Sequence, residues 1–314
     1  MKLQHPEVRY EVTDNCNANC IMCPRDKHTR QHGIMDNEAY RKSIDEIVGL
    51  GARRVVLTGF GEPLLDCDLE DKISYADRAG LNTYIITNAS ALNKTRAHGL
   101  INAGLDEVRI SFYGMGAESY SAVMRGLNYA KTDANIRYLL GQIEAQRSPM
   151  KVMLSYIVLP ENEADTQTFK TVWEPLVHAI EIWNPHNFGD GRDFRERTQE
   201  KTTCGRPKNG PLQIQWDGTV IPCCFDYNNQ VPLGNAFDTP ILKILHGDRY
   251  EDLRDAHEKG EFHRVPYCDQ CDQLLEHSDA IIYSNRHDLP PEHAVKLSNT
   301  DLYNLIDAVE ITDR

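Results

Sequence analysis

Between residues 8 and 183, short runs rich in apolar and β-branched residues alternate with stretches whose apolar residues recur every three or four positions. The period-two and continuous runs predict strands at 8–12, 54–57, 84–87, 108–112, 152–159 and 180–183. The helical periods predict helices over 37–50, 69–79, 91–103, 133–145 and 166–177. Asp36 stands where an N-cap is expected, Ile44, Ile47 and Val48 share one side of the first helix, and Gly80 and Gly104 follow the second and third. Strand–helix alternation of this length implies parallel βα units. Six units close only part of a barrel, so the expected fold is α/β, a partial (β/α)6 TIM-like barrel at 1–200. Functional groups then collect at the carboxyl ends of the strands.

From 184 to 208 the pattern breaks into a polar, Gly-containing linker, and a small second domain is expected at 201–275. Its signature is a strand pair, 212–216 and then Val220 and Ile221, with Asp217-Gly218 at the turn. The rest, 276–314, reads as a tail with a helical stretch at 301–309.

A hydrophobic fraction of 40% with 26% charged residues fits a globular protein with a substantial core. No apolar run reaches the length of a spanning helix, so no membrane association is expected. Met1-Lys2-Leu3-Gln4-His5-Pro6 has no apolar signal region, which makes the cytoplasm the expected compartment. A net charge of −13 without a basic stripe argues against nucleic acid as a partner. Nine cysteines in a reducing compartment read as metal ligands rather than disulfides. Eight fall into two groups, and Cys67 stands alone.

The first group, Cys16, Cys20 and Cys23, is spaced C-x3-C-x2-C. Three thiolates on a short loop can hold three corners of a cubane cluster and leave the fourth iron open to a small molecule. A zinc site completed by a distant histidine, or three unrelated core thiols, are the other readings of the spacing alone. The loop after a first strand with this spacing resembles the radical S-adenosylmethionine (SAM) superfamily. That resemblance implies a [4Fe–4S] cluster that binds SAM and cleaves it reductively to a 5′-deoxyadenosyl radical. The residue before the third cysteine is often aromatic in that family; here it is Met22, whose polarizable sulfur can pack on adenine.

Further motifs in about the first 200 residues carry the same resemblance. Thr58-Gly59-Phe60-Gly61-Glu62-Pro63-Leu64 is similar to the family's GGEP motif, with Phe60 in place of the first Gly of the pair. By that likeness Gly61, Glu62 and Pro63 belong to the SAM site, with backbone carbonyls and the Glu62 carboxylate accepting from the SAM ammonium. Thr87 and Asn88, ending the third strand, and Ser111 in the fourth are implied contacts to SAM's carboxylate or ribose. Arg125 is an implied partner of its carboxylate.

In the second group Cys204, Cys223, Cys268 and Cys271 supply four thiolates, enough for a closed iron–sulfur site or a structural zinc ribbon. Gly218-Thr219-Val220-Ile221-Pro222-Cys223 resembles the G-x4-C element of SPASM and twitch domains. No cysteine follows Cys271, so the resemblance implies one auxiliary [4Fe–4S] cluster in a small C-terminal cluster domain, as in 2-deoxy-scyllo-inosamine dehydrogenase-like enzymes. Cys224 has three readings: a ligand in place of Cys223, a hydrogen donor to a substrate radical as in radical epimerases, or a small buried hydrophobe.

The expected activity is hydrogen abstraction from a small polar substrate (a sugar, aminocyclitol or nucleoside). The outcome would be dehydrogenation, epimerisation or a related rearrangement such as decarboxylation. Trp183, Asn184, His186, Asn187, Asp190 and Arg192 are candidate pocket residues, and an external donor such as flavodoxin or ferredoxin is the expected electron source. Modification of a ribosomally made peptide is an alternative, lowered because only 15 residues precede Cys16. A non-catalytic zinc-binding protein is the remote one. Oligomeric state is not legible in these patterns.

Overall fold

A computed structural model describes residues 2–196, 200–274 and 280–286. Among the described residues one sheet runs through the molecule. Its strands are β1 (Glu7–Tyr10), β2 (Arg54–Leu57), β3 (Asn82–Thr87), β4 (Glu107–Ser111), β5 (Lys151–Ile157), β6 (Ala179–Trp183), β7 (Leu212–Ile214), β8 (Thr219–Ile221), β9 (Gly234–Asn235) and β10 (Ile281–Ser284). Their order is β10-β6-β5-β4-β3-β2-β1-β7-β8-β9, and β1 to β6 are parallel neighbours in chain order.

The crossovers carry α1 (Asn37–Gly49), α2 (Leu69–Arg78), α3 (Lys94–Asn102), α4 (Ala117–Val123), α5 (Tyr129–Gln146) and α6 (Thr166–Trp173). Asp36 caps α1 by accepting from the Glu38 and Ala39 amides at 3.0 and 2.9 Å. The buried stripe of α1 is Tyr40, Ser43, Ile44 and Ile47, an i, i+3, i+4, i+7 pattern. Val48 lies one position beyond it and is 37% exposed, so the expected apolar face is narrower by that residue. Helix α4 has no counterpart among the expected elements.

The two faces of the sheet differ in chemistry. Val55, Leu57, Ile85, Val108, Ile110, Val152, Leu154, Ile180 and Ile182 point outward and share one core with the helices. The alternate residues Arg9, Arg54, Tyr84, Arg109, Ser155 and Glu181 line a cavity of about 470 Å³. Side chains from six successive strands reach one cavity only if the sheet curls around it, which is the partial barrel. Its interior is laced by ion pairs: Arg54 to Glu107 at 2.8 Å, Arg109 to Glu181, and Arg286 to Glu181 at 3.6 Å.

The sheet does not stop at the expected boundary near residue 200. Strand β7 pairs in parallel with β1 (Val8 with Leu212, Tyr10 with Ile214), and the β7–β8 hairpin turns at Asp217-Gly218. Around it pack α7 (Arg206–Asn209), α8 (Ile241–Leu245), α9 (Asp248–Lys259) and α10 (Pro266–Asp269), of which the apolar pattern predicted none. In the expected helical tail β10 is a strand, antiparallel to β6. The helix expected at 301–309 lies outside the described residues.

Candidate active site

The loop after β1 brings Cys16, Cys20 and Cys23 to the cavity, with Met22 between them. Its backbone is tied down from several directions. The Asn19 and Ile21 amides donate to the Arg125 and Val123 carbonyls at 2.8 and 3.0 Å. Arg25 Nη1 donates to the Asp14 and Phe60 carbonyls at 2.6 and 2.9 Å. Arg192 reaches in from beyond β6, donating to the Ile21 carbonyl at 2.9 Å, to the Cys23 carbonyl and to Asp26 Oδ1 at 2.6 Å. Arg30 grips Glu11 through two bonds of 2.6 and 2.7 Å, and Glu11 Oε2 also accepts from the Phe60 amide at 2.8 Å.

Burial, with the neighbouring thiols adding to it, pushes Cys23 up to about 11 and Cys20 far above its ordinary value. A bound metal would compensate the charge of such sulfurs as thiolates. In a tetrahedral zinc site the sulfurs stand about 3.8 Å apart, from Zn–S bonds of about 2.3 Å. Among the described residues the only three Cys/His/Asp/Glu ligand atoms within 4.8 Å of one another belong to Asp66, Cys67 and Asp68. There Asp66 is already paired with buried Lys72 at 2.8 Å. Among the described residues no three of the other cysteine sulfurs come that close together, as a single zinc ion would need.

Glycine at position 61 is a packing requirement: a Cβ there would run into the Thr13 carbonyl oxygen. The Gly59–Gly61 turn therefore lies directly on the cysteine loop, joined to it by the Glu62 amide donating to the Asn15 carbonyl at 2.8 Å. Glu62 is buried and its carboxylate is already occupied. It accepts from the Thr87 hydroxyl at 2.5 Å, the Asn88 amide at 2.7 Å and the Leu64 amide at 3.0 Å. Burial pushes its carboxyl upward against those donors. Its carboxylate ties the end of β2 to the end of β3 and also lines the cavity beside the backbone of Gly61.

Gly61, Glu62, Thr87, Asn88 and Ser111 line the cavity. The Asn88 amide nitrogen donates to Asn17 Oδ1 at 3.1 Å, and Ser111 accepts from the Tyr113 hydroxyl at 3.0 Å. Pro63 is buried at the start of a 3-10 turn (Pro63–Leu65), outside the cavity lining. Arg125 is exposed and does not line the cavity; its carbonyl supports the cysteine loop while Met124 faces inward.

In the second group Cys204, Cys268 and Cys271 are buried and Cys223 is half-buried. Cys223 feels the charges of Cys224, Cys271 and Cys268, and the last two feel Cys204, so the five thiols lie near one another. Of these, Cys224 lines the barrel cavity, with Phe225 beside it. The chain turns at Cys223 and Cys224, just past β8, and of these two thiols only the second lines the cavity.

Of the residues after β6, Trp183, Asn184 and His186 line the cavity. The His186 ring lies against Phe188 and Phe225, at 4.0 and 4.3 Å between centroids, and burial pushes its pKa down to about 3. Asn187 instead accepts from the Phe194 and Arg195 amides at 2.7 and 2.9 Å, Asp190 accepts from the Tyr227 hydroxyl at 2.9 Å, and Arg192 braces the cysteine loop. The sequence reading missed Glu11, Arg25, Arg30, Arg109, Glu181, Gln213 and Gln215. The alternation Glu7, Arg9, Glu11 along the first strand was the one available signal of a polar inner face.

Residues 10–172 match the Radical SAM superfamily, and residues 204–272 match SPASM, an iron-sulfur cluster-binding domain. A probable GTP 3′,8-cyclase of Methanococcus maripaludis is 29% identical over 145 residues, covering 46% of this chain and 48% of the relative. The GTP 3′,8-cyclase of Chlorobaculum tepidum is 31% identical over 119 residues, 38% of this chain and 36% of the relative. The chain thus spans about half the length, or less, of these relatives. Among solved structures, BtrN in complex with AdoMet and 2-DOIA superposes with a TM-score of 0.61 at 20% identity, covering 87% of this chain and 94% of that one. Streptococcus suis SuiB bound to precursor peptide SuiA gives a TM-score of 0.64 at 14% identity, over 79% of this chain and 66% of that one. Identities this low speak to the fold alone. The match across more than half of the chain, on a partial barrel whose three-cysteine loop opens into the central cavity, shows that this protein belongs to the radical SAM superfamily, with a [4Fe–4S] cluster and SAM as cofactors and an auxiliary iron–sulfur domain at 204–272.

Proposed function

We propose that this protein is a radical SAM enzyme that abstracts a hydrogen atom from a small polar substrate, a sugar, aminocyclitol or nucleoside, held inside the barrel. The carrying observation is that Cys16, Cys20, Cys23 and Cys224 line one cavity of about 470 Å³, within the usual size of a small-molecule site. When bound, the cluster and SAM would supply the hydrogen-abstracting 5′-deoxyadenosyl radical. Cys16, Cys20 and Cys23 would hold that cluster. Backbone around Gly61, with Thr87, Asn88, Ser111 and Met22, would position SAM. Cys204, Cys223, Cys268 and Cys271 would hold the auxiliary cluster.

The placement of Cys224 favours a redox-neutral outcome such as epimerisation over dehydrogenation. Its thiol would hand a hydrogen atom to the substrate carbon radical. One electron from a donor such as flavodoxin or ferredoxin, with a proton, would then restore the thiol. The test is incubation of the reduced enzyme with SAM and candidate sugars, aminocyclitols and nucleosides in deuterated water. Substrate-dependent 5′-deoxyadenosine and one solvent deuteron per inverted product are expected. Cys224→Ala should lose inversion at least a hundredfold; inversion and deuterium incorporation at the original rate would rule out thiol donation.

A further inference from the structure

Gln215 follows β7 directly and is only 2% exposed, yet neither its Oε1 nor its Nε2 has a hydrogen-bond partner among the described residues. It lines the barrel cavity. Buried carboxamides are nearly always satisfied, because an unmet donor and acceptor destabilise the folded state. A side chain retained in that condition, and facing a cavity, is poised for a ligand.

Its position says which ligand. The cavity residues Gly61, Thr87, Asn88 and Ser111 lie at the ends of β2, β3 and β4, on one side of β1. Gln215 lies on the other side, just past the strand that pairs with β1, and Gln213 within that strand also lines the cavity. From the β6 end His186 brings a third buried atom without a hydrogen-bond partner, Nδ1, on a ring braced by Phe188 and Phe225. The ionic side chains deeper in the barrel neutralise one another, Arg54 with Glu107 and Arg109 with Glu181. On this wall Gln213 and Gln215 offer neutral dipoles, and the buried Arg206 guanidinium, 4.5 Å over the Phe225 ring, lines the same cavity. A carboxamide presents a donor and an acceptor side by side, and a pair of adjacent ring hydroxyls presents the complementary set.

We propose that Gln215 is a specificity-determining contact of the substrate site, holding two adjacent hydroxyls of a polyhydroxylated ring through its paired Oε1 and Nε2. The proposal rests on the small-polar-substrate reading above and narrows it to polyhydroxylated rings.

The test compares Gln215→Leu with the wild-type protein, both purified anaerobically with their clusters, by thermal unfolding alone and with scyllo-inositol, glucosamine or SAM. Without ligand the variant should melt about 2 °C or more higher, since a buried unsatisfied amide has been replaced by an apolar group. Its affinity for the polyol that stabilises wild type should fall at least tenfold. A lower melting temperature would show that the carboxamide serves the fold and would overturn the proposal. Gln215→Met, unbranched, gives the same reading if Leu disturbs the packing. Equal polyol stabilisation of wild type and variant would overturn the contact alone. A tenfold loss of SAM affinity with polyol binding kept would reassign the amide to SAM and overturn it too. A wild type that neither polyol stabilises would sink the substrate class together with the contact.

Discussion

The Arg30–Glu11 pair is the most quantitative handle on the site. Its side chains are 8% and 4% exposed, and two bonds of 2.6 and 2.7 Å join them. Arg30→Met removes both bonds, together with the one from Nε to the Tyr227 carbonyl at 2.9 Å, and leaves Glu11 with the Phe60 amide at 2.8 Å. Breaking a buried pair from one side costs about 3–5 kcal/mol. The stranded carboxylate can escape that cost by taking a proton, which at pH 7 costs a Glu of ordinary pKa about 3.7 kcal/mol. The loss at pH 7 should therefore be about 3–4 kcal/mol, a large share of a typical domain's stability.

The sign of the pH dependence follows. In the variant the folded state holds a proton on Glu11 that the unfolded chain releases above its ordinary carboxylate pKa. Stability then rises as the pH falls, by about 1.4 kcal/mol per unit between pH 7 and pH 5. At pH 5 protonation costs only about 1 kcal/mol, so most of the defect should vanish. Urea denaturation of both proteins at pH 5, 6 and 7, followed by circular dichroism, reads this directly. A defect below about 1 kcal/mol at pH 7, or one equal at pH 5 and 7, would refute the reasoning.

Gly61→Ala should abolish SAM binding while leaving most of the fold, because the new methyl forces the turn off the Thr13 carbonyl; equilibrium dialysis with SAM checks it. Cys23→Ala and Cys271→Ala should each lower iron and sulfide by about four atoms per chain, at different sites. Only the first should remove the spectral change caused by SAM, which electron paramagnetic resonance of the reduced protein distinguishes.

What the sequence alone determined is what lies close together along the chain. The alternation of runs located the six barrel strands to within a few residues, since each pattern is read within one element. The three cysteines of the loop are legible because eight residues span them all, so spacing limits the geometry. The Asp36 cap is equally local. Tertiary structure decided where the distant partners meet. The Glu62 carboxylate is occupied by Thr87, 25 positions on, and Arg192 secures the Cys23 carbonyl from 169 positions away. Whether Cys223 or Cys224 faces the barrel, and whether Gln215 meets its cavity, depends on β7 lying beside β1, a pairing across some 200 residues of chain. Such pairings are set by strand register and by which face of the sheet curls inward. A one-residue slip would reverse them, and no local pattern records it.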